Sequence, residues 1–145
     1  MIAFEASPAG DAALAFSVEM AERLGARLHV IHVTDLADYP IDPDLAGSAL
    51  ESNVIRKSSE HRRAEVDRLL ADFGGEWTYT DETGNVVDRI KRVARRYDAL
   101  AIILGSSAPG LAGTLHRSLK GSVLRDLTRH SDRVVMVVPA RPPPD

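Results

Sequence analysis

Residues 104–124 read LGSSAPGLAGTLHRSLKGSVL, with glycines at 105, 110, 113 and 121, Ser122 after the last of them, and Arg117 and Lys120 just before it. A phosphate group needs several backbone N–H donors converging on it, small residues that let the backbone approach, and often a helix N-terminus behind them. Gly105 would allow a sharp exit from a strand, and Gly121–Ser122 would present an N–H and a hydroxyl where the next helix is established. One helix end contributes only about 0.3–1 kcal/mol to an anion, so several donors must act together. Arg117 and Lys120 would add charge neutralisation. The plainer alternative is that the glycines permit a long turn and Ser122 caps a helix. Spacing alone leaves both open.

Other chemistries fit less well. There is no G-x-x-x-x-G-K-[ST], so this is not a P-loop, and no G-x-G-x-x-G follows the first apolar run. Asp35 stands where a dinucleotide fold places its ribose-binding acid, but without the glycine fingerprint it reads as a cap. The five histidines, His29, His32, His61, His116 and His130, show no H-x-x-x-H spacing for a metal. His29 and His32 fall on opposite faces of one strand, so they cannot chelate together and read as hydrogen-bonded structural residues. The run TDET (80–83) suits turn chemistry as well as a cation. No G-x-S-x-G elbow is present, and no residue set emerges as catalytic.

The elements that position these residues alternate. MIAF (1–4) is a short apolar strand, after which Ser7 and Pro8 suit the cap and first position of a helix. That helix carries apolar residues at 13, 16, 20 and 24 on one face, with 14, 18 and 21 beside it, and ends at Gly25. RLHVIHV (27–33) is a second strand. A loop with two prolines leads to a charged helix near 50–73, expected to bury Val66, Leu69, Leu70 and Phe73 and to expose Arg62 and Arg63. EWTYTD (76–81) alternates like an edge strand. Residues 84–98 set Val86, Ile90, Val93, Ala94 and Tyr97 on one helical face. ALAIILG (99–105) reads as a strand covered on both sides, residues 119–130 as a helix, and RVVMVVP (133–139) as a fifth strand.

This βαβαβαβαβ order predicts an α/β fold, a parallel sheet with helices on both faces. Ligands of such sheets bind beyond the carboxyl ends of the strands, where strand order reverses. The candidate site is therefore built from 5–7, 33–35, 80–85 and the segment from Gly105 onward.

At 145 residues, 44% hydrophobic and 27% charged, the chain has the composition of one globular domain. Residues 1–140 are expected to form it, with 141–145 as a disordered Pro-rich tail. A net charge of −3 argues against a general nucleic-acid binder. The absence of cysteine removes disulfides and thiol chemistry. No apolar run is long enough to span a membrane and no basic-then-apolar leader opens the sequence, so a cytoplasmic location is expected.

Taken together, FEASPAGDAALAFSVEMAERLGARLHVIHVTD (4–35), ALAIILGSS and GSVLRDLTRHSDRVVMVVP resemble the universal stress protein family across nearly the whole chain. The resemblance implies a five-stranded Rossmann-like sheet of order 3-2-1-4-5, a homodimer paired through the last strand (134–138), and a role in stress response. In the nucleotide-binding branch, ATP or AMP is held, with Mg, by a loop G-x-x-G-x(9)-G-[ST]. Gly105 matches its first glycine, Gly121 and Ser122 its last pair, and Val123 follows as in the family. The backbone beside Val33 would contact adenine, and Glu5–Ala6–Ser7 stands where the family has Asp-Gly-Ser. Two departures matter. Ala108 occupies the second glycine position in a loop about three residues longer, so Gly110 or Gly113 would have to replace it. Ala6 is less permissive than glycine if that turn needs a positive φ. The implied function is adenine-nucleotide binding with at most slow hydrolysis. The alternative is a homodimeric interaction module that has lost the ligand and uses the long loop as a contact surface.

Overall fold

A computed structural model describes residues 1–35, 49–106 and 121–140. The elements are β1 (Ile2–Ala3), α1 (Pro8–Leu24), β2 (Leu28–Thr34), α2 (Ala49–Leu69), β3 (Trp77–Thr83), α3 (Val86–Arg96), β4 (Ala101–Ser106), α4 (Gly121–His130) and β5 (Val134–Pro139). Contacts divide the chain into two units, Met1–Thr34 with Gly75–Asp145, and Asp35–Gly74.

The first unit holds all five strands in a parallel sheet of order β3-β2-β1-β4-β5, as expected. β1 is short but central. Ile2 and Ala3 pair with Val30 and Ile31 on one side and with Ile103 and Leu104 on the other. The ladder continues for one bond at each end, through Met1 N to Ala101 O at 3.0 Å and Phe4 N to Ile31 O at 2.8 Å. Ala3, Ile31, Ile102 and Leu104 share one face with Ile90, Val93 and Ala94 of α3 and Leu127 of α4. Strand alternation turns Ile2, Val30 and Ile103 to the opposite face, where α1 crosses the sheet.

α1 begins as its sequence dictates. Ser7 is extended (φ −160°), its Oγ accepts from Gly10 N at 3.1 Å, and Pro8 opens the helix. At the other end Gly25 adopts the left-handed conformation (φ 60°), and Ala26 N closes on Ala21 O at 2.9 Å. The buried stripe includes Ala13, Leu14 and Ala21 as expected but also runs through Ala9, Gly10 and Ser17, whereas Leu24 is 55% exposed. Sequence periodicity discounts Ser17, yet its hydroxyl is satisfied locally by donating to Ala13 O at 2.7 Å. That lets a small residue sit where the helix approaches the sheet closely.

In the second unit, α2 ends at Leu69, short of the expected 73. Val66 and Leu70 are buried as expected, but Leu69 is exposed and Phe73 only half-buried. Arg62, expected in solvent, is half-buried and donates to Ser58 Oγ at 2.6 Å.

Candidate functional site

β2 runs to Thr34 and β4 to Ser106, but β1 stops at Ala3, opposite Ile31 and Leu104. Val33–Thr34 and Gly105–Ser106 therefore project beyond the central strand and flank the segment Glu5–Ala6–Ser7 that leaves it. β1 feeds α1 on one face of the sheet and β4 feeds α4 on the other, which makes this notch the switch point of the fold.

Each side of the notch is closely built. A Cβ on Gly10 would lie 1.8 Å from Glu5 O, so the first turn of α1 rests directly on the Glu5 backbone. A Cβ on Gly105 would meet Ala9 O at 2.4 Å and Gly10 N at 2.9 Å. Gly105 lies inside β4, paired with Val138, and has no positive φ. Its role is thus not the sharp strand exit expected from sequence. It is the close approach of β4 to the first turn of α1. Gly10 was missed by the motif search, although a glycine in a first helical turn, where it weakens the helix, was the available signal. Ala6 does not have a positive φ either, so replacing the family's glycine there costs nothing in backbone strain.

The helix ends facing the carboxyl edge differ in what they can offer an anion. In α1, Pro8 has no N–H, Gly10 N donates to Ser7 Oγ, and Asp11 N donates to Ser7 O at 2.8 Å, while Asp11 itself places negative charge in that turn. α3 is closed in the same manner, with Asn85 Oδ1 accepting from Asp88 N at 3.1 Å and Asp88 in its first turn. α4 starts at Gly121, carries no acidic residue in its first turn, and exposes Ser122. Val123 packs inward against the core, fixing which way the helix is rotated. Gly110 and Gly113 lie outside the described residues.

Val33 sits opposite Glu82 of β3, its side chain half-buried against the α3–α4 core. Thr34, buried at the strand end, accepts from Gly84 N at 2.9 Å, and Gly84 has φ +127°, a value that favours glycine. This joins the exits of β2 and β3, a link the motif search did not anticipate. Of the run TDET, Glu82 is engaged by Arg92 at 2.5 Å and approached by Arg89 at 3.9 Å. Among the described residues no group of three metal-ligating side chains occurs. His32 Nδ1–H donates to Phe4 O at 3.0 Å, and His29 Nδ1 shares a 2.6 Å hydrogen bond with Thr78 Oγ1 while its ring stacks on Tyr97 at 4.1 Å. Both histidines have the structural roles expected of them.

A doubly wound sheet of order 3-2-1-4-5 with a notch at its switch point defines a Rossmann-like α/β domain. The family model of the universal stress proteins matches residues 1–139, and the chain belongs to that family. Solved structures agree in fold. A universal stress protein from Burkholderia pseudomallei is 24% identical, with TM-score 0.71, covering 96% of this chain and 95% of its own. One from Archaeoglobus fulgidus in complex with dAMP is 19% identical, with TM-score 0.66 and 94% of each chain covered. A universal stress protein in complex with cAMP is also 19% identical, with TM-score 0.56, covering 97% of this chain and 95% of its own. No curated protein matches the chain.

Proposed function

We propose that residues 1–140 act as one cytoplasmic stress-response domain that binds an adenine nucleotide, ATP or AMP with Mg, at the carboxyl ends of β1 and β4. The observation that carries this reading is the notch itself. Val33–Thr34 and Gly105–Ser106 flank the exit of β1, and the starts of α1 and α3 already spend part of their first-turn N–H groups on their caps, Ser7 and Asn85. The phosphates then belong with Gly121, Ser122 and Val123 at the start of α4, helped by Gly110 or Gly113. The base belongs beside Val33, with Glu5, Ala6 and Ser7 at the same pocket. Related structures holding dAMP and cAMP support the ligand class. The reading includes at most slow hydrolysis and a homodimer paired through 134–138.

A thermal melt with Mg·ATP, AMP and GTP tests it. Ligand at about 100 times its Kd stabilises by about 2.7 kcal/mol, a shift of several degrees at this length. An adenine-selective shift supports the site. Gly121→Val is expected to abolish the shift and leave the dimer intact, and an unchanged shift in that variant removes the assignment.

A second reading, a ligand-free homodimeric interaction module, draws on Gly105. Its lack of a side chain is required by the Ala9 backbone with or without a phosphate. The first family glycine therefore does not by itself argue for a nucleotide, and the absence of any nucleotide-dependent shift would select this module.

A further inference from the structure

The surface helices handle charge in two opposite ways. α1 and α2 set opposite charges four residues apart, in Glu19–Arg23, Arg56–Glu60 and Arg63–Asp67, paired at 2.5, 2.7 and 3.0 Å. α3 and α4 set mostly like charges at the same spacing, in Lys91–Arg95, Arg92–Arg96 and Arg125–Arg129, with Asp88–Arg92 the one opposite pair of acid and arginine. The like-charged pairs repel, and each weakens its helix.

The helices that repeat this arrangement touch each other and share one face of the sheet. Their inner sides, Ile90, Val93, Ala94 and Leu127, are buried, so the cations occupy the outer side. Across described residues 85–106 and 121–133, eight arginines and lysines stand against four aspartates, in a chain whose net charge is −3. Internal pairing uses part of this excess: Arg92 with Glu82, Arg95 with Asp132 at 3.2 Å, and Arg133 with Asp98 at 2.8 Å. Among the described residues Lys91, Arg125 and Arg129 have no ion-pair partner, and Arg96 only lies over the Tyr97 ring, 5.7 Å from its centroid.

The geometry points to the outer face of α3 and α4 as a docking surface for an acidic segment of a partner protein. Two features favour a discontinuous acidic peptide over other anions. All the cations here except Lys91 are arginines, whose planar fork suits carboxylate and phosphate alike, so the choice between them rests on the rest of the face. Asp88 and Asp126 interrupt the face and would repel a continuous phosphate backbone, whereas a peptide can space its carboxylates around them. Among the described residues the exposed large apolar ones, Leu24, Leu69, Leu100, Val134 and Val137, all lie off these two helices, so the helices themselves offer no anchor for a lipid surface. Arg125 lies one helical turn after Gly121 and Ser122, but Lys91 and Arg129 lie further off and the inference does not rest on nucleotide binding.

The test is fluorescence anisotropy of a labelled peptide of alternating Glu and Ser, with double-stranded DNA and phosphatidylserine vesicles as competing probes. Binding is expected for the peptide and should weaken as salt rises. Lys91→Glu with Arg125→Glu converts two repelling pairs into attracting ones. This double variant is expected to lose about tenfold in peptide affinity while melting no lower than the parent. The charge-preserving pair Lys91→Arg with Arg125→Lys should keep both properties. No peptide binding by the parent, tighter binding to DNA or vesicles, undiminished affinity after reversal, or a lower melting temperature in the reversed variant would each overturn the proposal.

Discussion

Gly105 and Gly10 meet backbone to backbone at the switch point, so neither position has a side chain to move aside when a methyl is added. Gly105→Ala should cost about 1–3 kcal/mol, read as a fall in melting temperature without nucleotide present. A loss of ligand in that variant would therefore say nothing about phosphate contacts, which is why Gly121 is the informative position. His29 gives a second residue-scale test. Partial burial, then the Met1 amino group, then Arg27 hold its pKa below the ordinary 6.5. The unfolded chain consequently binds this proton more readily than the folded one. The contribution of His29 to stability is complete above about 6.5 and is lost as pH falls through the lower folded value. Urea midpoints measured on both sides of 6.5 should fall towards acid, and His29→Gln should flatten that dependence.

α3 is the element whose local rules are most fully satisfied. Asn85 caps its start, and its end follows the left-handed closing pattern, with Asp98 N to Arg95 O at 3.2 Å and Ala99 N to Ala94 O at 2.8 Å. Asp98 supplies the left-handed residue at φ 47°, a conformation that costs a β-branched side chain dearly. Asp98→Gly should be tolerated, whereas Asp98→Val should lose about 1 kcal/mol; chemical denaturation separates the two. Against this background the repelling Lys91–Arg95 and Arg92–Arg96 spacings are the exception. In α4, Arg125→Glu faces Arg129 with no carboxylate one turn before it and should stabilise the domain by about 0.5 kcal/mol, checked in the same denaturation series.

At the scale of the molecule, the two edges of the sheet are unlike. β3 reads WTYTDET, polar and alternating, an edge that discourages further pairing. β5 reads VVMVVP, with Val134 59% and Val137 42% exposed. A long apolar edge needs a cover, and a second copy offers a matching one. Val137→Lys is expected to give a folded monomer by light scattering with unchanged circular dichroism. A dimer of unchanged strength would move the interface elsewhere.

Alternation of apolar runs and amphipathic stretches is a local property, and it was enough to give the element order, the parallel sheet and, through the family resemblance, its 3-2-1-4-5 order. Caps were equally legible at Ser7, Pro8 and Gly25, because a cap depends on its own few residues. The same reasoning put the candidate site at the exits of the first four strands, whereas the sheet order sets β3 one strand further from the notch, beside β2. What it could not decide was anything set by a neighbour distant in sequence. Ser17 is buried where periodicity chose Leu24, because the close approach of α1 to the sheet favours a small side chain whose hydroxyl closes on its own helix. Gly105 is glycine because of Ala9, nearly a hundred positions earlier in the chain, and not because of the loop it opens. Gly84 holds a φ of +127° where its N–H closes on Thr34 O, fifty positions earlier. Composition also gave the correct total charge while hiding its distribution, because only the packing of α3 beside α4 brings their cations onto one face.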